Sequence, residues 1–463
     1  MKKHVFFIGI GGTGLSAIAR LLQEKGHIVS GSDQQISDLA RDLMLTGIPV
    51  YQGHSAEHLV GVDMVIRSSA IPDSNPEVQA AHAARIPVYK RSDILGELMK
   101  DQIGIAIAGT HGKTTTTAMI STMLQKLGLD PSYIIGSVAK NLGNNAHHGS
   151  GDYFVIEADE YDRMFLGLSP TIVVITNLEH DHPDCYPTFS DYLQAFKAFT
   201  EKVTPHGKVF VYREDAGTQK LLPIITHPTV LTYGTSTDCD YQAREIAPNR
   251  MGGYRFTIYQ NTAQSSIRLM TVDLIVPGMH NVMNALVTLG VSHSLGLDLQ
   301  SAANSLTEFS GTSRRFDILG EVNQITIIDD YAHHPTEIQA TLQATKSRYP
   351  GRKIWAIWQP HTYSRTKILF DEFKNSFTQA DHVIVSQIYA SREKDDGFSS
   401  SQFVDAMQHP DARYIASLED ITAYLVENLS SGDVMLVFSA GDATQVSKDV
   451  LSRLTHKEKH HEI

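Results

Sequence analysis

From Ala106 to Thr117 the chain reads Ala-Ile-Ala-Gly-Thr-His-Gly-Lys-Thr-Thr-Thr-Thr. The apolar run Ile103 to Ala108 predicts a strand that enters a turn bearing Gly109 and Gly112 and leaves it through Lys113 into a helix. Backbone N–H groups of such a turn, and of the helix start behind it, point at phosphate oxygens. A lysine adds a point charge beside the outer phosphates of a nucleoside triphosphate, and a hydroxyl reaches its Mg²⁺. Gly109, Thr110, His111, Gly112, Lys113, Thr114 and Thr115 are therefore candidates to hold ATP, with Lys113 on the phosphates and Thr114 on the metal. The spacing departs from the common P-loop, which wants a glycine where this chain has Ile107.

Other constellations follow predicted strands in the same way. Gly9-Ile10-Gly11-Gly12-Thr13-Gly14 leaves a strand, opens a helix and has Asp33 about 20 residues on. Taken alone it points to NAD, but its physics asks only for a diphosphate at a helix N-terminus, and the UDP part of a nucleotide sugar satisfies it equally. Glu157-Ala-Asp-Glu-Tyr-Asp162 closes the strand Tyr153–Ile156, on the ligand side of an open α/β sheet. Mg²⁺ takes one or two carboxylates beside phosphates and waters, which makes Glu157, nearest the strand, the expected ligand and Asp162 a solvated acid. Thr176 to Asp184 follows the next strand, and His182 in it is a candidate second metal ligand. Four further strand ends carry polar loops: Asp329 to Pro335, Gln359 to Arg365, Tyr389 to Glu393 and Ser439 to Asp442. Arg365 and Arg392 can each bind a carboxylate or phosphate through two parallel hydrogen bonds.

The elements that must position these groups fall into three blocks. The first alternates β-rich runs (4–8, 27–30, 64–68, 88–89) with helical stretches (14–25, 38–46, 77–84), the signature of a doubly wound parallel sheet. The second begins near Asp101 with the phosphate-loop unit. It continues through strands 153–156 and 171–176, a helix 189–201, shorter strands between 207 and 276, and a helix 281–295. The third, after Gly311, has strands at 325–328, 354–358, 382–386 and 434–438. A chain of 463 residues exceeds one ordinary core, in keeping with several domains. Two cysteines make neither a disulfide framework nor a metal quartet, and no apolar run reaches the length of a membrane span; the expectation is a cytoplasmic enzyme. A net charge of −12 argues against nucleic-acid or acidic-membrane partners. The polar tail from Thr455 is expected to fray.

Gly109-Thr-His-Gly-Lys-Thr-Thr115, Glu157-Ala-Asp-Glu160, Asp181-His182, Gly278-Met-His-Asn-Val-Met-Asn-Ala285, Ser313-Arg-Arg-Phe316 and Asp330-Tyr-Ala-His-His-Pro335 succeed one another along essentially the whole chain. In that order they resemble the Mur ligases, ATP-dependent amino-acid ligases of peptidoglycan synthesis. Gly9 to Ser16, Arg314-Arg315-Phe316 and Gln359-Pro-His with Arg365 are most similar to the branch that joins L-alanine to the lactyl carboxylate of UDP-N-acetylmuramate through an acyl phosphate. The rival branch joins a recycled tripeptide to the same sugar nucleotide. It shares Glu-Ala-Asp-Glu-Tyr-Asp and His-His-Pro, but its first glycine loop usually carries a cysteine and bulkier residues.

The resemblance implies an α/β chain of three domains. These are an N-terminal Rossmann-like parallel sheet (1–100) for the UDP-sugar, a central P-loop ATPase-like domain with an added small β region (101–312) for ATP, and a C-terminal Rossmann-like domain (313–463) for the amino acid. It implies ATP and Mg²⁺ as cofactors and a monomer or weak homodimer. By the same resemblance Lys113 and Thr114 hold phosphates and Mg²⁺, Glu157 and His182 bind metal, and His280, Asn281 and Asn284 surround the adenine. Arg314 and Asp330 approach the nucleotide, His333 or His334 the reacting centre, and Arg365 and Arg392 the carboxylate of the amino acid or the phosphoryl oxygens. Gly11, Gly12, Gly14, Asp33, Ser68 and Ser69 face the UDP-sugar. Several branches carry a carbamylated lysine downstream of His182; Lys197 is either that residue or an ordinary helix-surface lysine. A competing class, a NAD-dependent oxidoreductase built on the first glycine loop, leaves Lys113, Glu157 and the third block without a role.

Overall fold

The computed structural model of the chain describes residues 2–391 and 393–461. Among these residues three sheets form. The first contains β1 (His4–Ile8), β2 (Ile28–Asp33), β3 (Val50–Gln52), β4 (Met64–Arg67) and β5 (Val88–Lys90), all parallel, in the order β3-β2-β1-β4-β5. The chain winds outward from β1 on one side and crosses to β4 on the other. The loop after β1 thus opens at the switch point, where a crevice forms beyond the strand ends.

The second sheet contains β6 (Ile103–Ala108), β7 (Ser132–Ala139), β8 (Asn144–His147), β9 (Tyr153–Glu157), β10 (Ile172–Ile175), β11 (Lys208–Tyr212), β12 (Val230–Gly234), β13 (Tyr241–Pro248), β14 (Tyr254–Asn261) and β15 (Ser266–Asp273). Their order is β15-β14-β13-β12-β11-β10-β6-β9-β7-β8. β6 lies between β10 and β9, parallel to both, so the loops that follow these three strands emerge side by side. β6 and β10 are apolar and buried along nearly their whole length, as expected of central parallel strands covered on both faces. The shorter strands of the added β region continue this one sheet, as β11 to β15.

The third sheet contains β16 (Asp317–Val322), β17 (Ile325–Asp330), β18 (Ile354–Trp358), β19 (His382–Val385), β20 (Ala412–Tyr414) and β21 (Val434–Phe438), in the order β16-β17-β21-β18-β19-β20, with only β16 antiparallel to its neighbour. β17, β18 and β21 are wholly buried. The architecture is three-domain α/β. The edge strands β3, β8, β16 and β20, and β7 beside β8, escape the sequence pattern because they are short, or carry Asn, Gly and polar residues. The tail differs from expectation too. A helix runs Thr444–His461, because Val446, Val450 and Leu454 recur at every fourth residue, are buried, and carry the polar end onward as helix.

By contacts the chain divides into two compact units. One holds the residues up to Glu245 with Phe256–Val272 and Met283–Phe309; the other holds Ile246–Arg255, Asp273–Val282 and the chain from Ser310. Within the first unit, the helix Thr13–Glu24 that leaves the first glycine loop buries Leu15, Ile18, Leu21 and Leu22 in the same core as Ile134 and Ala146 of the second sheet. Among the described residues no helix is long and apolar enough to cross a membrane.

Candidate functional site

The phosphate loop hangs from β6 and is pinned by the start of the loop after β10. Thr110 N–H donates to the Asn177 carbonyl, His111 N–H to Asn177 Oδ1 (2.8 Å), and Thr176 Oγ1 to the His111 carbonyl (2.6 Å). Gly109 takes φ +133°, and a Cβ there would lie 2.1 Å from Thr176 Oγ1. Gly112 takes φ +81° and is the N-cap of the helix Lys113–Lys126. Glycine is required at both positions by backbone conformation, and at Gly109 by crowding as well. The helix has no side-chain cap and no acid in its first turn, so its first N–H groups remain available to an anion. Asn284 packs against Gly112 from the helix Met279–Ser294, and Asn281 donates to the Pro277 carbonyl one turn earlier. His280 is exposed, its ring beside its own Gly278.

Lys113 Nζ folds back to the Gly109 and Thr110 carbonyls (2.5 and 3.2 Å) and to Glu160 Oε1 (2.9 Å). Glu160 comes from the loop after β9, which is held in two ways. Met164 and Phe165 bury themselves just beyond it, Phe165 against Phe196 and Phe199 of the helix Phe189–Thr200, and Tyr186 OH donates to the Glu160 carbonyl. Burial pushes the Glu160 carboxyl above the usual carboxylate range against the pull of Lys113. Burial alone would lower the Lys113 ammonium, but Glu160, Glu157 and Asp159 hold it above the ordinary lysine value. His182, at φ +55°, approaches Glu160 Oε1 (3.9 Å) and Asp181 Oδ2 (3.7 Å), and Tyr161 packs edge-on to its ring. Glu157 is half-buried and accepts from Gly136 N–H; Asp162 is exposed, as expected of a solvated acid.

The donor set suits Mg²⁺: oxygen-rich, at the mouth of a phosphate loop, and with one observation that asks for a cation. Glu160 Oε2 is buried and has no hydrogen-bond partner among the described residues. A buried carboxylate oxygen left unpaired is costly, and a hard cation satisfies it. Glu160 is the residue that sequence reasoning passed over in favour of Glu157. Its signal is an acid three residues past the strand, with the apolar pair Met164 and Phe165 following to turn the loop inward. Lys197 pairs with Glu201 at 2.5 Å along its own helix, the arrangement of a helix-surface lysine.

In the first glycine loop, Gly11 N–H donates to Asp33 Oδ2 (2.8 Å) and Ser37 Oγ to the Gly11 carbonyl. Asp33 therefore turns back to shape the loop. A Cβ on Gly12 would meet little, whereas one on Gly14 would fall 2.5 Å from the Arg91 guanidinium. Ser68 packs on Gly9, and Ser69 is exposed.

In the third sheet the polar strand ends knit together. Asp330 is buried and accepts from Phe316 N–H, Ala332 N–H and Thr341 Oγ1, and burial pushes its carboxyl up to about 6 against Arg315 and those N–H groups. Arg314 reaches Asp329 and the Ser439 carbonyl and lies over Tyr331. His333 Nδ1 contacts the Tyr331 carbonyl, and its backbone N–H donates to Glu337. His334 caps the helix Pro335–Arg348. Arg365 is half-buried in the short helix Tyr363–Ile368, and Gln359 joins Ser439, Asp442 and Ala443. Arg392 lies outside the described residues.

The chain matches the Mur ligase family catalytic domain over residues 4–103, the Mur ligase middle domain over 107–292 and the Mur ligase glutamate ligase domain over 314–441. It is 42% identical to the UDP-N-acetylmuramate–L-alanine ligase of Desulfosudis oleivorans, across 97% of this chain and 98% of that one. The chain belongs to the Mur ligase family. This Mur ligase is also 40% identical to the enzyme of the same name from Caldanaerobacter subterraneus, over 97% of each. Its fold matches the crystal structure of the UDP-N-acetylmuramate–alanine ligase of Thermotoga maritima with a TM-score of 0.83 at 30% identity, covering 98% of this chain and all of that one. A murein peptide ligase from Psychrobacter arcticus matches with a TM-score of 0.72 at 26% identity, over 98% of each chain. Full-length likeness to ligases sets aside the oxidoreductase reading of the first glycine loop, and the alanine-ligase relatives outrank the peptide-ligase neighbour in both identity and fold.

Proposed function

We infer that this Mur ligase joins L-alanine to the lactyl carboxylate of UDP-N-acetylmuramate, coupled to cleavage of ATP. The observation that carries this is identity of about 40% along nearly the whole chain to ligases of that name. A carboxylate is a poor electrophile, and bringing it to a triphosphate sets anion against anion. The carboxylate oxygen attacks the γ-phosphorus and ADP leaves. The amine of L-alanine then attacks the acyl carbon, inorganic phosphate departs, and a histidine takes the amine proton.

In this reading Lys113 and the N–H groups of residues 109–115 hold the phosphates, and their positive field offsets the charge that builds as the phosphoryl group moves. Mg²⁺, held by Thr114, Glu157 and His182 with Glu160 beside them, supplies further neutralisation when bound. His280, Asn281 and Asn284 surround the adenine, and Arg314 and Asp330 serve the nucleotide. His333 or His334 is the base, and Arg365 and Arg392 take the carboxylate of the amino acid. Gly11, Gly12, Gly14, Asp33, Ser68 and Ser69 take the sugar nucleotide. The blocks 1–100, 101–312 and 313–463 are the corresponding domains of a cytoplasmic monomer or weak homodimer.

The test is phosphate release from UDP-N-acetylmuramate, ATP and Mg²⁺ against each amino acid and the recycling tripeptide. Release that needs L-alanine supports the assignment; release with the tripeptide alone moves the chain to the recycling branch.

A further inference from the structure

Arg91 begins the helix Arg91–Leu98, directly after the edge strand β5, and no motif marks it. Its guanidinium crosses the first turn of the helix Thr13–Glu24, so close that a Cβ at position 14 would lie 2.5 Å from Nη1. That helix start has Gly12 as N-cap, no side-chain cap and no acid in its first turn. A guanidinium beside the positive end of a helix is repelled unless an anion lies between them. The protein supplies little compensation. Arg91 Nη1 reaches Asp159 Oδ2 at 3.3 Å, and Nε is buried with no hydrogen-bond partner among the described residues. An arginine offers five donors in a planar fork suited to phosphate. Here that fork and an uncapped helix start flank the loop at the switch point of the first sheet. Asp159, its other contact, sits between Glu157 and Glu160 in the acid loop beside Lys113.

We propose that Arg91 binds the diphosphate of the sugar nucleotide at the first glycine loop and, through Asp159, ties that loop to the acid loop facing Lys113. The inference rests on reading the first glycine loop as the sugar-nucleotide site. Gly14 is then glycine so that the guanidinium can lie across the helix start. The two loops share a cation that neither could hold with one partner.

Titration calorimetry with uridine diphosphate, without ATP, reads the claim directly. Arg91→Gln weakens binding about ten- to a hundredfold, the loss expected of a charge-assisted hydrogen bond. ADP–Mg²⁺ binding at the phosphate loop stays within twofold of the parent. Arg91→Lys recovers part of the loss, having the charge without the fork. Asp159→Asn keeps uridine diphosphate affinity and lowers kcat, whereas Arg91→Gln raises KM for the sugar nucleotide more than it lowers kcat. Unchanged uridine diphosphate binding in Arg91→Gln overturns the proposal. Should that variant lose ADP binding as well, Arg91→Lys decides: weakened uridine diphosphate binding with ADP binding intact supports the claim, and parental binding overturns it. Arg91-dependent binding in a chain that releases no phosphate with UDP-N-acetylmuramate and L-alanine leaves this inference standing and sinks the proposed reaction. An active parent with an indifferent Arg91 does the reverse.

Discussion

Glu160 and Lys113 hold one another inside the first unit, and one oxygen of the acid has no hydrogen-bond partner among the described residues. Glu160→Gln keeps the shape and removes the charge, leaving a buried ammonium without its counter-ion. Loss of a preorganised charge at a reacting phosphate costs about a hundredfold or more in turnover. Steady-state phosphate release from Glu160→Gln should therefore show kcat down by that order with KM for the sugar nucleotide unmoved; kcat within twofold of the parent defeats the assignment. Asp330 makes a different prediction, about pH. Its folded carboxyl titrates near 6, above the ordinary 3.8, so folding binds its proton more tightly. The stability this gives is complete below about pH 4 and is lost as pH rises through about 6. Urea denaturation of the parent and Asp330→Asn should show a parent advantage that is larger at pH 5 than at pH 8. An equal difference at both values rules out the titration. At this scale the sequence revealed residues that sit inside motifs. Glu157, Lys113 and His182 announce themselves by spacing. Arg91 does not, because its partner Asp159 is 68 residues away and only the fold brings them together.

Each loop for which a chemical role is proposed leaves the C-terminal end of a parallel strand, and the strand gives the loop its fixed origin. The central strands could be read from their apolar runs: Ile103–Ala108, Ile354–Trp358 and Val434–Phe438 form where the pattern put them. The edge strands β3, β8, β16 and β20 could not, since pairing on one side only asks little of the side chains. β7 and β8 also carry glycine and asparagine, which weaken the pattern further. The phosphate loop shows how an element makes demands on single residues. Gly109 lies in the left-handed region and its missing Cβ makes room for Thr176. Gly109→Ala must rotate the backbone or push the loop after β10 away, and either change moves the N–H groups that would face phosphate. Calorimetry should show ADP–Mg²⁺ affinity falling at least tenfold. The uridine diphosphate affinity of the same variant should hold. Parental ADP affinity would mean that the loop does not bind phosphate through its backbone.

Two glycine loops, after β1 and after β6, belong to one compact unit whose helix Thr13–Glu24 shares a core with the second sheet. A ligand at either loop therefore stabilises the same body of chain. Binding to the folded state alone adds about 2.7 kcal/mol when free ligand is a hundred times its dissociation constant. For sites that do not touch, such increments add within a few tenths of a kcal/mol. Scanning calorimetry should accordingly show uridine diphosphate and ADP–Mg²⁺ each raising the transition of this unit. If Arg91 joins the loops, the two together should raise it by more than the sum. Lys113→Ala supplies the internal control: the ADP–Mg²⁺ increment disappears, the uridine diphosphate increment remains, and turnover is lost. Strict additivity in the parent would leave two independent sites on one core and remove the coupling through Asp159. An ADP–Mg²⁺ increment that survives Lys113→Ala would instead move the nucleotide away from residues 109–115, and with it the chemistry assigned to the acid loop.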